Sequence, residues 1–364
     1  MIVEISKEEE ERWEGPVNYV SHHAVFKPES SSTPVRLVVN SSLKCNDISL
    51  NDILMKGPNT IRSLFGIQLQ FRTFPVALVS DIYKFYHSIH TTETEKHLRR
   101  LLWRHMNTDE EPKTYGITRV MFGDKPAAAI SSVAIQETAE TFRHIDEIAA
   151  DKLKNNTYVD DITTGADTVN EVESLKTHIE DMLSRVGMKI KEWVVSGDTC
   201  KVNLSLPGTG KVGRVLGLTW DPSQDVFFVY VRINLSRKIK GAHTEEDLSY
   251  EQIPRILELV ITLRIVLGIV NSCYDPYGLL AALLIQLKIE LRKLFGREIK
   301  IGWDDPLSDE VKRRWVHILQ VVKEAEKVQF KRCIQPKEPV SGKPILIVCN
   351  AGSNEAMYAT AHVR

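Results

Sequence analysis

TYVDDITTG (Thr157–Gly165) sets two acids, Asp160 and Asp161, between two short strand-like runs. That pattern reads as a β-hairpin with a carboxylate pair at its tip. The other decisive stretch lies some eighty residues earlier. VALVSDIYKFYHSI (Val76–Ile89) opens with a wholly apolar run and reaches Asp81, which reads as a buried strand with an acid at its end. A carboxylate at a strand end is fixed by the sheet yet open to solvent. Two such strands side by side would bring acids from distant sequence together. Phosphoryl transfer uses this arrangement: two divalent ions roughly 3.5–4 Å apart can hold both the attacking and the leaving oxygen. Mg²⁺ takes hard oxygen ligands and keeps several waters, so a few carboxylates suffice. Successive strand residues point to opposite faces, so Asp160 is expected to be the stronger ligand and Asp161 the more peripheral. Alone, an Asp-Asp pair in a turn is most often ordinary turn chemistry. The surrounding sequence gives it weight.

Outward from these acids, Val35–Val39 reads as a strand, residues 47–74 as irregular or partly helical, and Thr92–His105 as a helix with Leu98, Leu101 and Leu102 on one face. Ala127–Ile148 reads as one long helix, and Asn170–Val186 as a helix stopped by Gly187. Arg214–Trp220 and Val226–Ile233 read as strands separated by a turn at Asp221-Pro222-Ser223. Tyr250–Lys327 is almost entirely helical in pattern, and 344–364 returns to strand character. Lys27–Pro34, rich in Ser and Pro, reads as a loop.

The 364 residues carry 47 Lys+Arg against 48 Asp+Glu and are 43% hydrophobic, a globular composition for more than one domain. A net charge of −1 neither advertises nor excludes a nucleic-acid partner, since a binding face can be locally basic. The five cysteines are widely spaced without a C-x-x-C pair, which argues against a disulfide framework or zinc site and for a reducing compartment. The N-terminus MIVEISKEEEERWEG has no apolar signal core, and no apolar run approaches the roughly 20 residues of a membrane span. A soluble, non-secreted, cytoplasmic protein is expected.

At this point a family resemblance enters. YVDD (Tyr158–Asp161) resembles the catalytic box of reverse transcriptases, and DIYKFYHSI (Asp81–Ile89) their first metal-binding motif. The wider pattern is similar to Pao/BEL-type LTR retrotransposon polymerases. It is carried by SHHAVFKP (Ser21–Pro28), VRLVVNSS (Val35–Ser42), SLNDILMKGPN (Ser49–Asn59), VMFGDKPAA (Val120–Ala128), YDPYGLLA (Tyr274–Ala281) and WDDPL (Trp303–Leu307), in the family's order. The resemblance implies an α+β right-hand polymerase with fingers, a palm built on an antiparallel sheet, and a thumb, followed by a helical connection and a truncated RNase H-like fragment. Fingers are expected over 1–75 with 93–120, palm over 76–222, thumb and connection over 223–340, and the RNase H-like start over 341–364. It implies RNA-directed DNA polymerisation with two Mg²⁺ (or Mn²⁺) ions on Asp81, Asp160 and Asp161. Template–primer and deoxynucleoside triphosphates are the implied partners, with other Pol or Gag segments in cytoplasmic virus-like particles. By the same resemblance Lys27 and Arg36 would grip the triphosphate, as point charge and fork. Tyr86 would be the steric gate against a ribose 2′-hydroxyl, and Phe122-Gly123 the turn packing on the templating pair. Many retroviral enzymes have Gln where Phe122 stands, so apolar packing must replace a hydrogen bond. Leu216, Gly217 and Trp220 would hold the primer 3′ end, and Lys191, in GMKIKEW, would lie near the leaving pyrophosphate. From Lys288 to Arg332, twelve Lys/Arg face eight Asp/Glu, a mild excess that a phosphate backbone or plain solvent could explain.

Two positions depart from the pattern. Asn350, in VCNAGSNEAMYATAHVR, stands where the family's RNase H domain has a catalytic Asp, and the sequence stops about two strands into that domain. No RNase H activity is expected. Asn40 stands where the family often has Asp near the triphosphate, keeping its shape without its charge. A catalytically silent or domesticated nucleic-acid-binding remnant is the alternative reading, which the three intact acids oppose. A metal-dependent nuclease is a more distant third.

Overall fold

The computed structural model describes residues 1–26, 34–197, 213–235, 238–239, 242–243, 247–296, 301–335 and 345–363. The chain divides into two compact units, Met1–Val195 and Ser196–Arg364.

The first unit opens with β1 (Ile2–Glu4) and α1 (Lys7–Arg12), then the strands β2 (Ser21–Phe26) and β3 (Val35–Asn40). Two short helices, α2 (Leu50–Ile53) and α3 (Leu64–Phe71), lead into β4 (Val76–Tyr83) and the single turn α4 (Phe85–Ser88). Strands β5 (Arg100–Trp103) and β6 (Lys113–Ile117) precede the helices α5 (Ala127–Thr141) and α6 (Glu147–Asn155). The acidic hairpin is β7 (Thr157–Tyr158) and β8 (Asp161–Ala166), followed by α7 (Val169–Arg185), β9 (Lys189–Ile190) and β10 (Val194–Val195). The main sheet is antiparallel, in the order β10-β4-β8-β7, with β9 also pairing β4. β1-β6-β5 and β2-β3 form two smaller sheets.

Alternation decides which face of the main sheet is covered. Leu78, Ile82 and Ile162 pack with Ile135, Leu153, Val172, Ile179 and Leu183, so α5, α6 and α7 lie against one face. In the register of β4 with β8, Ser80 faces Ile162 and Asp81 faces Asp161, so these two acids belong to the opposite set of side chains. Helix α7 starts at a capping box: Glu171 N–H donates to Thr168 Oγ1, and Thr168 N–H donates to the Glu171 carboxylate.

Several expectations are corrected. β4 runs on to Tyr83, so Asp81 lies inside the strand rather than at its end. Thr92–His105 is not one helix. Thr94–Arg99 is a 3-10 turn, and Arg100–Trp103 pairs with β6 as a strand, which turns Leu101 inward and Leu102 outward. The expected helix 127–148 ends at Thr141, and Asp146 caps a new one by accepting the Ala149 N–H. The loop expected at Lys27–Pro34 lies outside the described residues, save Pro34.

In the second unit β11 (Gly213–Val215), β12 (Leu218–Asp221) and β13 (Val226–Phe228) form a meander, after which β14 (Lys238–Ile239) pairs β15 (Ala242–His243). A 3-10 segment, Tyr250–Leu257, precedes α8 (Leu263–Ser272), α9 (Ala281–Leu294) and α10 (Asp309–Glu324). β16 (Gln329–Lys331) returns to pair β13, and β17 (Leu346–Gly352) with β18 (Met357–Val363) makes a separate two-stranded hairpin. Val231, Ile253, Val266, Ile269, Leu287, Trp315 and Leu319 form the core. Arg214–Trp220, expected as one strand, is itself a hairpin. Leu216 and Gly217 take φ +49° and +84°, the left-handed pair that a two-residue turn requires. It belongs to this unit, not to the unit carrying the acids. Among the described residues no helix is long and apolar enough to cross a membrane, and Cys45, Cys273, Cys333 and Cys349 are free thiols.

Candidate active site

The carboxylates are brought together by strand register. Asp81 stands directly across from Asp161, and Tyr158 pairs Asp161 over the turn Val159-Asp160. Val159 takes φ +58°, and the Ile82 N–H donates to the Asp160 carbonyl at 2.9 Å, tying the turn to β4. Asp81 and Asp161 therefore hang on adjacent strands of one sheet, and Asp160 on the tight turn that joins β7 to β8. The register sets Asp161 opposite Asp81, with Asp160 in the turn beside it.

Electrostatics couple the three. Burial, then the charges of Asp160 and Asp81, push the Asp161 carboxyl up to about 7, and Lys191 partly offsets them. Burial and the Asp81 charge likewise raise Asp160 above the ordinary carboxylate range. Lys191 answers part of this negative charge. Its Nζ donates to Asp81 Oδ2 at 2.6 Å, and its backbone N–H donates to the Asp81 carbonyl at 2.9 Å. Sequence reading set Lys191 near a leaving group; the structure sets it on the first acid.

Among the described residues no group of three or more His, Cys, Asp and Glu side chains is drawn together closely enough to hold a metal ion, and Asp81 is turned to Lys191. The donor set nonetheless fits hard divalent cations. It consists only of carboxylate oxygens, Asp81 is open to solvent, and the mutual repulsion of the acids calls for positive charge.

Beside the acids, Tyr86 is half-buried, with its phenol raised first by burial and then by the Asp160 charge. Its ring meets Phe122 edge-on at 4.8 Å, and His87 meets the same ring at 5.3 Å. Gly123 takes φ +98°, and a β-carbon there would stand 3.3 Å from the Val39 carbonyl, so the turn after Phe122 needs glycine. Arg36 is exposed on β3, and Asn40 ends that strand. Lys27 lies outside the described residues. Leu216 and Gly217 form the tip of the β11–β12 hairpin, while Trp220 is fully buried and donates its indole N–H to Asp225 at 3.0 Å. That bond ties Trp220 to the turn between β12 and β13. Asn350 is exposed on β17.

Sequence reading gave no role to the residues that brace the Phe122-Gly123 turn. Asn51 donates to the Gly123 carbonyl at 2.8 Å and accepts the Lys125 N–H at 2.8 Å. Asp124 is buried between Arg99 Nε, at 2.7 Å, and the Ser41 hydroxyl, at 2.6 Å. Asn51 and Asp124 both sit inside motif-like segments, so a signal existed. Nothing local pointed to Arg99.

Fold and carboxylate hairpin together define the reverse transcriptase class. Residues 51–193 match the family model described as reverse transcriptase (RNA-dependent DNA polymerase), and residues 262–364 match the one described as Pao retrotransposon-like RNaseH-like domain. The chain belongs to the reverse transcriptase region of Pao/BEL-type Pol. The RNase H-like match begins at 262, far ahead of the boundary expected at 341. No curated protein matches. Among solved structures, the chain is similar in fold to a foamy viral protease-reverse transcriptase (dRH) in complex with double-stranded DNA. The TM-score is 0.57 at 14% identity, with 100% of this chain and 50% of that one covered, so this chain spans half the length of its structural relative.

Proposed function

We propose that this chain is an RNA-directed DNA polymerase, joining deoxynucleotides to a primer 3′-hydroxyl with release of pyrophosphate. The observation that carries the reading is the register of Asp81 with Asp161 beside Asp160, within the segment matching the reverse transcriptase family. Asp81, Asp160 and Asp161 would hold divalent cations, Mg²⁺ or Mn²⁺. When bound, these supply charge neutralisation at the phosphates and activation of the primer hydroxyl. The chain's own side chains position the rest. Tyr86 against Phe122 forms an aromatic wall beside Asp160, suited to excluding a ribose 2′-hydroxyl. Arg36, with Lys27, would meet triphosphate oxygens. Lys191, beside Asp81, is within reach of negative charge leaving the site. Fingers, palm and thumb, as set out from the sequence, are the functional division this reading assigns, with template–primer as the nucleic-acid partner. The neutral side chain of Asn350 leaves no support for RNase H chemistry at that position.

Primer extension on an RNA template with Mg²⁺ and deoxynucleotides tests the reading, comparing the parent chain with Asp160→Asn. The parent should extend, and the variant should lose at least about 10³-fold, the scale expected when charge stabilisation at a phosphoryl centre is removed. A folded parent that binds template–primer without extending it would refute the proposal and leave a silent relative.

A further inference from the structure

A cavity of about 740 Å³ lies wholly within the second unit. Its floor is β12 and β13 with the chain beyond (Thr219, Phe228, Tyr230), one wall is α8 (Ile265, Gly268, Ile269), and the loop Tyr274–Leu279 closes the side. That volume falls in the range of small-molecule sites, roughly 300–1,000 Å³.

The lining indicates what would fit. Aromatic rings stand around the space: Tyr230, Tyr274 and Tyr277, the last tilted against Phe227 at 6.0 Å. Charged groups are present, but each is matched within the protein. Arg264 makes a two-pronged pair with Asp304 at 2.8 and 2.9 Å. Arg232 pairs with Asp247 at 2.9 Å. The Asp275 carboxylate accepts the N–H groups of Leu279 and Leu280 at 2.9 and 2.7 Å. An anion such as a nucleotide would compete with these carboxylates for the part-exposed arginines. A neutral, planar, largely apolar molecule would not.

Gly268, exposed on α8, lines the space as well. It lies inside α8, where glycine is unfavourable, and its backbone does not require it. A β-carbon added there would meet nothing within 4 Å. A side chain at 268 would point into the cavity.

We propose that this cavity is a binding site for a neutral aromatic small molecule, seated between the β12–β13 floor and α8 among the tyrosine rings. Nothing in the proposal depends on the carboxylate site or on polymerase activity.

The test titrates the full chain with N-phenyl-1-naphthylamine, a neutral probe that brightens in apolar surroundings, and competes it with p-cresol. Saturable brightening at one site per chain is expected, reversed by p-cresol. Gly268→Phe should weaken it at least tenfold, while Gly268→Ala should hold within about twofold, with circular dichroism confirming the fold of each. Should Gly268→Phe not fold, Val229→Trp fills the same space from the floor and should give the same loss. Brightening that does not saturate, or that survives filling of the cavity by a folded variant, would overturn the proposal.

Discussion

At the scale of single residues, the contact between Lys191 and Asp81 governs how the acidic site meets a cation. The ammonium offsets charge that would otherwise raise Asp160 and Asp161 further. On the proposed function, a divalent ion at Asp81 would compete with Lys191 for the same carboxylate. The pair is about two-fifths exposed, so its strength is that of a surface ion pair, about 0.2–1 kcal/mol. Lys191→Met should tighten Mn²⁺ binding by up to about fivefold, the factor that the upper end of this energy represents, as read by calorimetry on the nucleic-acid-free protein. Weaker Mn²⁺ binding in the variant would mean that Lys191 organises the carboxylates instead of competing for them. The buried pair of Asp124 and Arg99 behaves differently. Asp124→Asn leaves a guanidinium 3% exposed without its counter-charge. Breaking such a pair costs about 3–5 kcal/mol, so the denaturation midpoint should fall sharply. A loss under 1 kcal/mol would show that Arg99 finds another partner.

At the scale of elements, the N-terminal segment is fastened to the 3-10 turn Thr94–Arg99 by the Lys96–Glu9 ion pair at 2.8 Å, by Asn18, and by His97. His97 is buried, stacked on Trp13 at 4.0 Å, and its Nδ1 accepts from Arg100 Nε at 3.2 Å. Burial and then Arg100 lower its pKa, against the opposing charge of Glu9. A depressed folded value means that the unfolded chain takes up the proton first. This contribution to stability is present above the ordinary value of 6.5 and is lost as pH falls through that value toward the depressed one. The raised Asp161 carboxyl works in the opposite direction over this range, so the comparison is between variants: going from pH 7 to pH 5 in thermal melts, the parent should lose stability relative to His97→Gln. An unchanged slope would mean that other groups carry it. The same region shows what a sequence can and cannot reveal. β4 and β8 were legible because each is a continuous run between turn residues, and α7 because its capping box and apolar spacing agree. β5 was not, since the adjacent apolar residues Leu101, Leu102 and Trp103 suit either period and only pairing with β6 decides. Periodicity alone ran through the β11–β12 turn, because Leu216, a residue that disfavours positive φ, occupies the left-handed position where Asn would have signalled it; only the family resemblance set a hairpin there. For the site, the three acids were readable from local pattern. The braces Asn51, Asp124 and Arg99 depend on contacts between distant segments that no local pattern encodes.

At the scale of the whole molecule, the boundary after Val195 assigns each hydrophobic core to one unit. Leu153 lies in the core that backs the acidic sheet, and Leu319 in the core of the second unit, both fully buried. Truncating either leaves a cavity and costs about 2–5 kcal/mol. Cooperativity follows shared packing rather than chain continuity, so the outcome expected for two compact units is two calorimetric transitions. Leu153→Ala should then lower one midpoint and Leu319→Ala the other, each leaving the second within about 1 °C. The test also bears on the acids, since β4, β7 and β8 all lie in the first unit. Leu153→Ala should loosen the carboxylate site and weaken Mn²⁺ binding near its transition, whereas Leu319→Ala should not. A single transition moved by both substitutions would show instead that the two cores fold as one.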